Sequence, residues 1–257
     1  MSMTKDDGEY VQTLARGLTV IRAFGPQHQK LTLSDVARRA NLTRAAARRF
    51  LLTLKRLGYV KSDDGKYFSL QPAVLDLGYA YLSSIPWWEI AQRYMEEVSA
   101  AVEESCSAAV LADGDIVYIA RVATQRIMSM TINIGSRMPA YATSMGRVLL
   151  AHQEPAWLDD FIEKTNFAPI TEHTVVQKPA LRKLLTEVKR QGFCIVDQEL
   201  EAGVRSIAVP LFDRQGKCQA AINVGTHIAR VSKMKLTTTV LPALRTASSK
   251  ITAAWTA

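Results

Sequence analysis

Thr43 and the arginines that follow it have the types and spacing that suit contact with DNA. Thr43 can cap a helix that begins at Arg44, and Arg48 and Arg49 then point away from its apolar side, with Ala45 between them. A guanidinium group binds the edge of a guanine or a backbone phosphate, and small outer residues let a helix enter the major groove. The alternative is an arginine-rich helix face that is merely solvated.

Basic residues are concentrated around this helix. The 257 residues carry a net charge of +8, and residues 30–66 alone hold ten basic and three acidic side chains. A clustered positive surface attracts a polyanion through counterion release and electrostatic steering. Together with the arginine spacing, this clustering favours double-stranded DNA as a partner.

A second group of polar residues lies in the last two thirds of the chain. Residues 143–146, Thr-Ser-Met-Gly, predict a helix start whose backbone amides suit a carboxylate, although a simple helix cap is the alternative. Asp197, Glu199 and Glu201 recur at steps of two, which predicts one face of a strand. Asp197 with Glu199 is a candidate acid–base pair, and each of the three residues either lines a pocket or is simply solvated.

Recurrent catalytic motifs are missing from the sequence. There is no Gly-x-Ser-x-Gly elbow, no Walker phosphate loop and no Gly-x-Gly-x-x-Gly fingerprint. The four histidines have no metal-type neighbours, and Cys194 and Cys218 lie in strand-like runs, where a buried apolar role is typical. We therefore expect no catalysis, no metal and no cofactor, and keep a small-molecule-converting enzyme as the alternative.

Three short helices and a hairpin must position the arginines. Thr32 and Asp35 predict a capping box for the second helix, and Asn41 suits a left-handed turn before the third. Gly58 ends the third helix, and Asp64-Gly65 predicts a type I′ turn in a hairpin that carries Lys66. The core face predicted for the third helix comprises Ala47, Phe50, Leu51, Leu54 and Leu57.

The remaining residues predict an apolar helix followed by alternating strands and helices. Helices are expected at 72–84, 90–102, 144–151, 155–165, 178–190 and 232–254. Strands are expected at 107–112, 116–122, 128–134, 193–199, 204–212 and 217–225, with Asp113-Gly114 as a hairpin turn. The fold class is α+β, with a winged helix-turn-helix over 8–70, a linker helix over 71–85, and a GAF-like antiparallel sheet with flanking helices over 86–257.

The sequence also indicates the cellular compartment of the protein. No apolar run has the length of a membrane span, and the polar N-terminus has no secretory h-region. Three widely spaced cysteines offer no disulfide framework. We expect a cytoplasmic protein with no membrane partner.

Four segments resemble the IclR family of transcriptional regulators. Residues 14–24 and 33–54 resemble its DNA-binding domain, residues 139–151 its effector loop, and residues 197–210 its C-terminal signature. Residues 121–126 and 141–147 are most similar to the subgroup that regulates protocatechuate, 4-hydroxybenzoate and β-ketoadipate catabolism. Asn41 stands where a glycine is commoner, and Arg44 where a small residue or proline is commoner.

The resemblance implies a ligand-responsive DNA-binding regulator of aromatic-acid catabolism. A small organic or aromatic carboxylate would bind between the sheet and the loop that opens the 144–151 helix. The expected ligand-binding residues are Ser144, Met145, Gly146, Arg147, Asp197, Glu199, Val204 and Ser206, with Arg121 and Arg137 as weaker candidates. The expected DNA-binding residues are Arg16, Thr43, Arg44, Ala45, Arg48, Arg49 and Lys66. The apolar side of 72–84, with Pro86-Trp87-Trp88, is expected to join chains into a homodimer or tetramer.

Overall fold

The computed structural model describes residues 9–124 and 132–256. The chain forms two compact units, the first ending at Ser84 and the second beginning at Ile85. None of the helices in the described residues is both long and apolar enough to cross a membrane.

The first unit is a helix-turn-helix with a small sheet beside it. Its elements are α1 (Gln12–Arg22), β1 (Leu31–Thr32), α2 (Leu33–Arg39), α3 (Arg44–Arg56), β2 (Val60–Lys61), β3 (Tyr67–Leu70) and α4 (Val74–Ser83). The strand order is β1-β3-β2, and both pairs are antiparallel. Val20, Val36, Ala47 and Leu51 are fully buried between the three helices.

Local chemistry places the turn between α2 and α3 as predicted. The capping box is confirmed, since Thr32 Oγ1 accepts from the Asp35 amide while the Asp35 carboxylate accepts from the Thr32 amide. Asn41 has a φ of +51°, and Thr43 Oγ1 accepts from the Ala46 amide to cap α3. Leu57, expected in the core, is exposed, because α3 ends at Arg56 and Leu57 is its C-cap residue.

The hairpin turn differs from the prediction. Val60 pairs with Leu70 and Lys61 with Ser69, so the connection is longer than a two-residue type I′ turn. Of the predicted pair, Gly65 has a positive φ of 71°, whereas a type I′ turn needs one at Asp64 as well. Instead, the Asp64 carboxylate accepts from the amides of Lys66 and Tyr67 and closes the loop.

The second unit is a six-stranded antiparallel sheet with flanking helices. Its strands are β4 (Ser105–Ala112), β5 (Asp115–Val122), β6 (Arg137–Pro139), β7 (Cys194–Asp197), β8 (Val204–Phe212) and β9 (Cys218–His227), in the order β6-β5-β4-β9-β8-β7. Its helices are α5 (Trp88–Val102), α6 (Ser144–Ala151), α7 (Pro155–Lys164), α8 (Lys178–Gln191), α9 (Lys233–Lys235) and α10 (Leu241–Thr256). The α+β class is confirmed.

Several details of this unit depart from expectation. Most of the strand predicted at 128–134 lies outside the described residues, and 132–134 form a loop before β6. A π-helical turn over Leu236–Val240 interrupts the predicted closing helix between α9 and α10. Asp113 and Gly114, with φ of 54° and 83°, do form the predicted turn between β4 and β5.

The tryptophans at the start of the second unit face inward. Trp87 is buried, with its ring 5.7 Å from that of Trp255, and Trp88 Nε1 donates to the carbonyl of Ile119 at 2.9 Å. Trp87 is therefore core, and the expectation that it joins two chains is wrong.

Candidate functional site

An exposed row of basic side chains follows the turn of the first unit. Arg44, Arg48 and Arg49 are exposed on α3, as are Thr43 and Ala45 at its start. Among the described residues, these three guanidinium groups have no hydrogen bond or ion pair with protein. By contrast, Arg38 on α2 binds Asp35, and Arg39 Nε donates to the carbonyl of Ala23. The outer side of α3 therefore presents guanidinium groups that have no hydrogen-bonding or ion-pair partner among the described residues.

Two further predicted DNA contacts lie on other elements. Arg16 is exposed on α1, and Lys66 is exposed in the loop between β2 and β3. A winged helix-turn-helix uses one helix for a groove and its hairpin for a backbone, and here both α3 and the hairpin loop carry exposed basic residues.

The second unit contains a cavity on one face of its sheet. It encloses about 620 Å³ of empty space, counted out to its open mouth. Its walls are formed by Ser105, Ser107, Tyr118, Arg121, Ile132, Ala142, Thr143, Val196, Leu200, Glu201, Val204, Ser206, Asn223 and Gly225.

Strand register explains why these polar residues face one space. Arg121 on β5 lies opposite Ser107 on β4, and Ser107 lies opposite Asn223 on β9. One row along, Ser206 on β8 lies opposite Gly225 on β9. Because directly opposed residues point to the same side of a sheet, both rows form the cavity floor.

The cavity combines the guanidinium of Arg121, the acidic residue Glu201, several neutral hydrogen-bonding groups and an apolar wall. Tyr118, Ser206 and Asn223 supply polar atoms, while Val196, Leu200 and Val204 supply apolar surface. Burial raises the pKa of Tyr118 to about 12, so its hydroxyl stays protonated and can donate. Such a set suits a small acid with an apolar or aromatic body and further polar substituents.

Helix α6, which begins beside the cavity, is capped by the side chain of Thr143, the residue that precedes it. Thr143 Oγ1 accepts from the Gly146 amide at 3.1 Å, which is the simple-cap alternative. A Cβ on Gly146 would lie 2.2 Å from the carbonyl oxygen of Ala140, so glycine is needed there for close packing. Thr143 reaches the cavity wall, but Ser144, Met145 and Gly146 are buried behind it. Ser144 Oγ has no hydrogen-bond partner among the described residues.

Arg147 and Glu199 bind each other instead of lining the cavity. Arg147 Nη1 and Nη2 donate to the two oxygens of Glu199 at 2.6 and 2.5 Å, and Arg147 Nε donates to the Tyr141 carbonyl. The Val175 amide also donates to Glu199. The charge of Arg147 is compensated by Glu199 inside the core, and the structure places neither of these two expected ligand residues in the cavity wall.

The acidic residues do not share a strand face. β7 ends at Asp197 because Gln198 adopts a φ of +62°, so Glu199 and Glu201 belong to the following loop. Arg205 binds the Asp197 carboxylate and holds its pKa below the usual value, with Lys233 as a second partner. Asp197 therefore lies off the cavity wall. Of the eight predicted ligand residues, Val204 and Ser206 reach it.

The sequence interpretation missed the serines and the asparagine of the floor. Ser105 and Ser107 alternate in an otherwise apolar strand, and Asn223 is a single polar residue in an apolar run. The sequence did contain a signal for these residues, because a polar side chain in an otherwise apolar, buried strand needs a hydrogen-bond partner. The other weak candidate, Arg137, is exposed and binds Asp115.

The three cysteines of this unit are not suited to nucleophilic catalysis. Cys106, Cys194 and Cys218 are buried, as expected for the latter two, and burial raises the pKa of each thiol to about 12. Such thiols are not nucleophiles near neutral pH. No group of three metal-ligating side chains occurs within the described ranges.

Comparison with known proteins gives matches to both units. The model of the IclR helix-turn-helix domain matches residues 13–64, and that of the bacterial transcriptional regulator IclR C-terminal domain matches residues 79–253. The Pca regulon regulatory protein of Pseudomonas putida is 44% identical over 243 residues, which cover 94% of this chain and 83% of that protein.

Two further proteins connect the match to hydroxybenzoates. The p-hydroxybenzoate hydroxylase transcriptional activator of Acinetobacter baylyi is 34% identical, over 95% of this chain and 91% of that protein. An IclR homolog from Microbacterium hydrocarbonoxydans, whose crystal structure is complexed with 4-hydroxybenzoate, is 25% identical in sequence. It superposes with a TM-score of 0.84 over 95% of this chain and 99% of that one.

Proposed function

The chain belongs to the IclR family of bacterial transcriptional regulators, and on that premise we propose that it binds a small aromatic carboxylate in its second unit and thereby controls genes of aromatic-acid catabolism. The observation that carries this proposal is the cavity, where the guanidinium of Arg121 and neutral polar groups, with Glu201 also in the lining, face an apolar wall. The relatives named for the Pca regulon and for p-hydroxybenzoate hydroxylase support the aromatic assignment.

The experiment is titration calorimetry of the full chain with protocatechuate, 4-hydroxybenzoate and β-ketoadipate. At least one acid is expected to bind with a dissociation constant in the micromolar range, and its methyl ester to bind at least tenfold more weakly. Binding of none of the three acids, or equal binding of acid and ester, would count against the proposal.

For DNA, we propose that α3 enters the major groove and that the hairpin loop follows the backbone. Arg44, Arg48 and Arg49 would contact bases or phosphates near Thr43 and Ala45, while Arg16 and Lys66 would contact phosphates. The α3 guanidinium groups have no acceptor among the described residues, and this supports the proposal because DNA would supply acceptors. A DNA partner also implies the cytoplasm as the place of action.

We further propose that the chain is at least a homodimer, joined through α4. Leu75, Leu77, Tyr79 and Tyr81 are all at least half exposed on this helix. An apolar helix surface of this kind favours a protein partner, and two half-sites on DNA need two recognition helices. Sedimentation of the full chain at micromolar concentration measures the state, and a monomer would contradict it.

An enzyme fused to the helix-turn-helix is the weaker alternative. The titrating groups near the cavity offer no activated nucleophile, and the relatives are named as regulators. Turnover of the bound acid by the purified chain would favour the enzyme instead.

A further inference from the structure

Among the described residues of the second unit, three arginines that are shielded from solvent bind a carboxylate, and Arg121, which lines the cavity, does not. Arg147 binds Glu199, Arg205 binds Asp197 and Arg230 binds Glu104, each through two hydrogen bonds. These guanidinium groups are removed from bulk solvent to different degrees, and each is neutralised by the protein. The fold therefore follows the rule that a shielded guanidinium is paired with an anion.

Arg121 departs from that rule. It is half-buried in the cavity wall, and its guanidinium donates to the hydroxyl of Ser107 at 3.2 Å. Within residues 9–124 and 132–256, no carboxylate lies within ion-pair distance of it. Burial lowers the pKa of Arg121, which is the direction expected when desolvation is not offset by an anion.

The groups around Arg121 extend it into an anion-binding row. Ser107 and Asn223 lie beside it in register on the next two strands, so a hydroxyl and an amide face the same space as the guanidinium. Val196, Leu200 and Val204 form the apolar wall of the same cavity. A carboxylate at Arg121 would thus leave the body of the ligand against that wall.

We propose that Arg121 is the residue that binds the carboxylate of the ligand, with Ser107 and Asn223 as neutral neighbours. The inference rests on the proposed function and makes it specific. It assigns the anchor to a strand side chain in place of the amides at the start of α6, where Thr143 already takes the Gly146 amide.

The test compares an acid with its uncharged carboxamide on three full-length proteins. Wild type, Arg121→Gln and Arg137→Gln are titrated with 4-hydroxybenzoate and 4-hydroxybenzamide, and also with the aliphatic acid β-ketoadipate. Arg137 is the matched control because it is an exposed arginine of the same sheet that binds Asp115 and lies off the cavity wall.

Wild type is expected to favour the acid over the amide at least tenfold. Arg121→Gln should weaken acid binding by about 10- to 100-fold, as expected for loss of a charge-assisted bond, and change amide binding less than threefold. Arg137→Gln should change neither, and Arg121→Lys should restore part of the preference for the acid. A purely structural role would weaken acid and amide alike, which would overturn the proposal, as would unchanged acid binding.

The titration with the aliphatic acid β-ketoadipate distinguishes a failure of this inference from a failure of the proposed function. If wild type binds only β-ketoadipate and Arg121→Gln abolishes that binding, Arg121 is the anchor and the aromatic assignment is wrong. Binding of neither class by wild type overturns both. Should Arg121→Gln fail to fold, a structure of the wild-type complex decides: the ligand carboxylate should lie within hydrogen-bond distance of the Arg121 guanidinium, and a carboxylate placed elsewhere refutes the assignment.

Discussion

At the scale of single residues, the buried pair of Arg147 and Glu199 joins segments that are far apart in sequence. Arg147 lies on α6 and also holds the Tyr141 carbonyl, while Glu199 accepts from the Val175 amide. Removing one member leaves the other charge buried and uncompensated, which is far more costly than losing a surface pair.

We therefore expect Glu199→Gln to lower the free energy of unfolding of the second unit by about 3–5 kcal/mol. The control is Arg190→Met, which breaks an exposed pair with Glu187 and should cost less than about 1 kcal/mol. Tryptophan fluorescence during urea unfolding reports on this unit alone, since all four tryptophans lie at or beyond residue 87. Equal effects of the two substitutions would contradict the account.

At the scale of elements, α3 and the hairpin loop should make different kinds of DNA contact. Arg48→Ala or Arg49→Ala should weaken operator binding by about 1–3 kcal/mol if the arginine binds a base edge. Lys66→Ala should weaken binding to all sequences alike and reduce its salt dependence. Fluorescence anisotropy on operator and unrelated duplexes measures both, with Arg190→Ala as a control of equal charge change. Unchanged operator binding by both α3 variants would refute the recognition-helix assignment.

Elements set by neighbouring residues could be predicted from the sequence. The capping box at Thr32, the left-handed Asn41 and the Thr43 cap involve groups at most three residues apart, so the sequence carries their chemistry directly. The type I′ turn predicted at Asp64-Gly65 was wrong, because β2 and β3 pair in a register that leaves a longer loop, which the Asp64 carboxylate closes.

The ligand site was less predictable because its contacts are distant in sequence. Arg147 and Glu199 are 52 residues apart, and the cavity floor joins residues of β4, β5, β8 and β9. The arginine within the apolar helix Ser144–Ala151 was one available signal, since a buried guanidinium requires an anion. Strand register, which the sequence alone does not define, decides that Arg121 rather than Arg147 faces the cavity.

At the scale of the whole molecule, charge and cavity are divided between the two units. The dense basic segment of residues 30–66 lies in the first unit, and the cavity that Arg121 lines lies in the second. A regulator requires that ligand binding changes how tightly or where the chain binds DNA, which means a coupling free energy between the two sites. Couplings of this kind amount to about 1–3 kcal/mol, or roughly 5- to 150-fold in affinity.

The most direct test is DNA binding by the full chain, with and without saturating acid. The duplex is the DNA immediately upstream of the chain's own gene, and affinity and footprint are measured with protocatechuate, 4-hydroxybenzoate and their methyl esters. The account predicts that at least one acid changes the affinity fivefold or more, or alters the footprint, and that its ester and the Arg121→Gln protein show no such change. Identical affinity and footprint with every acid, at concentrations that saturate the cavity, would contradict it.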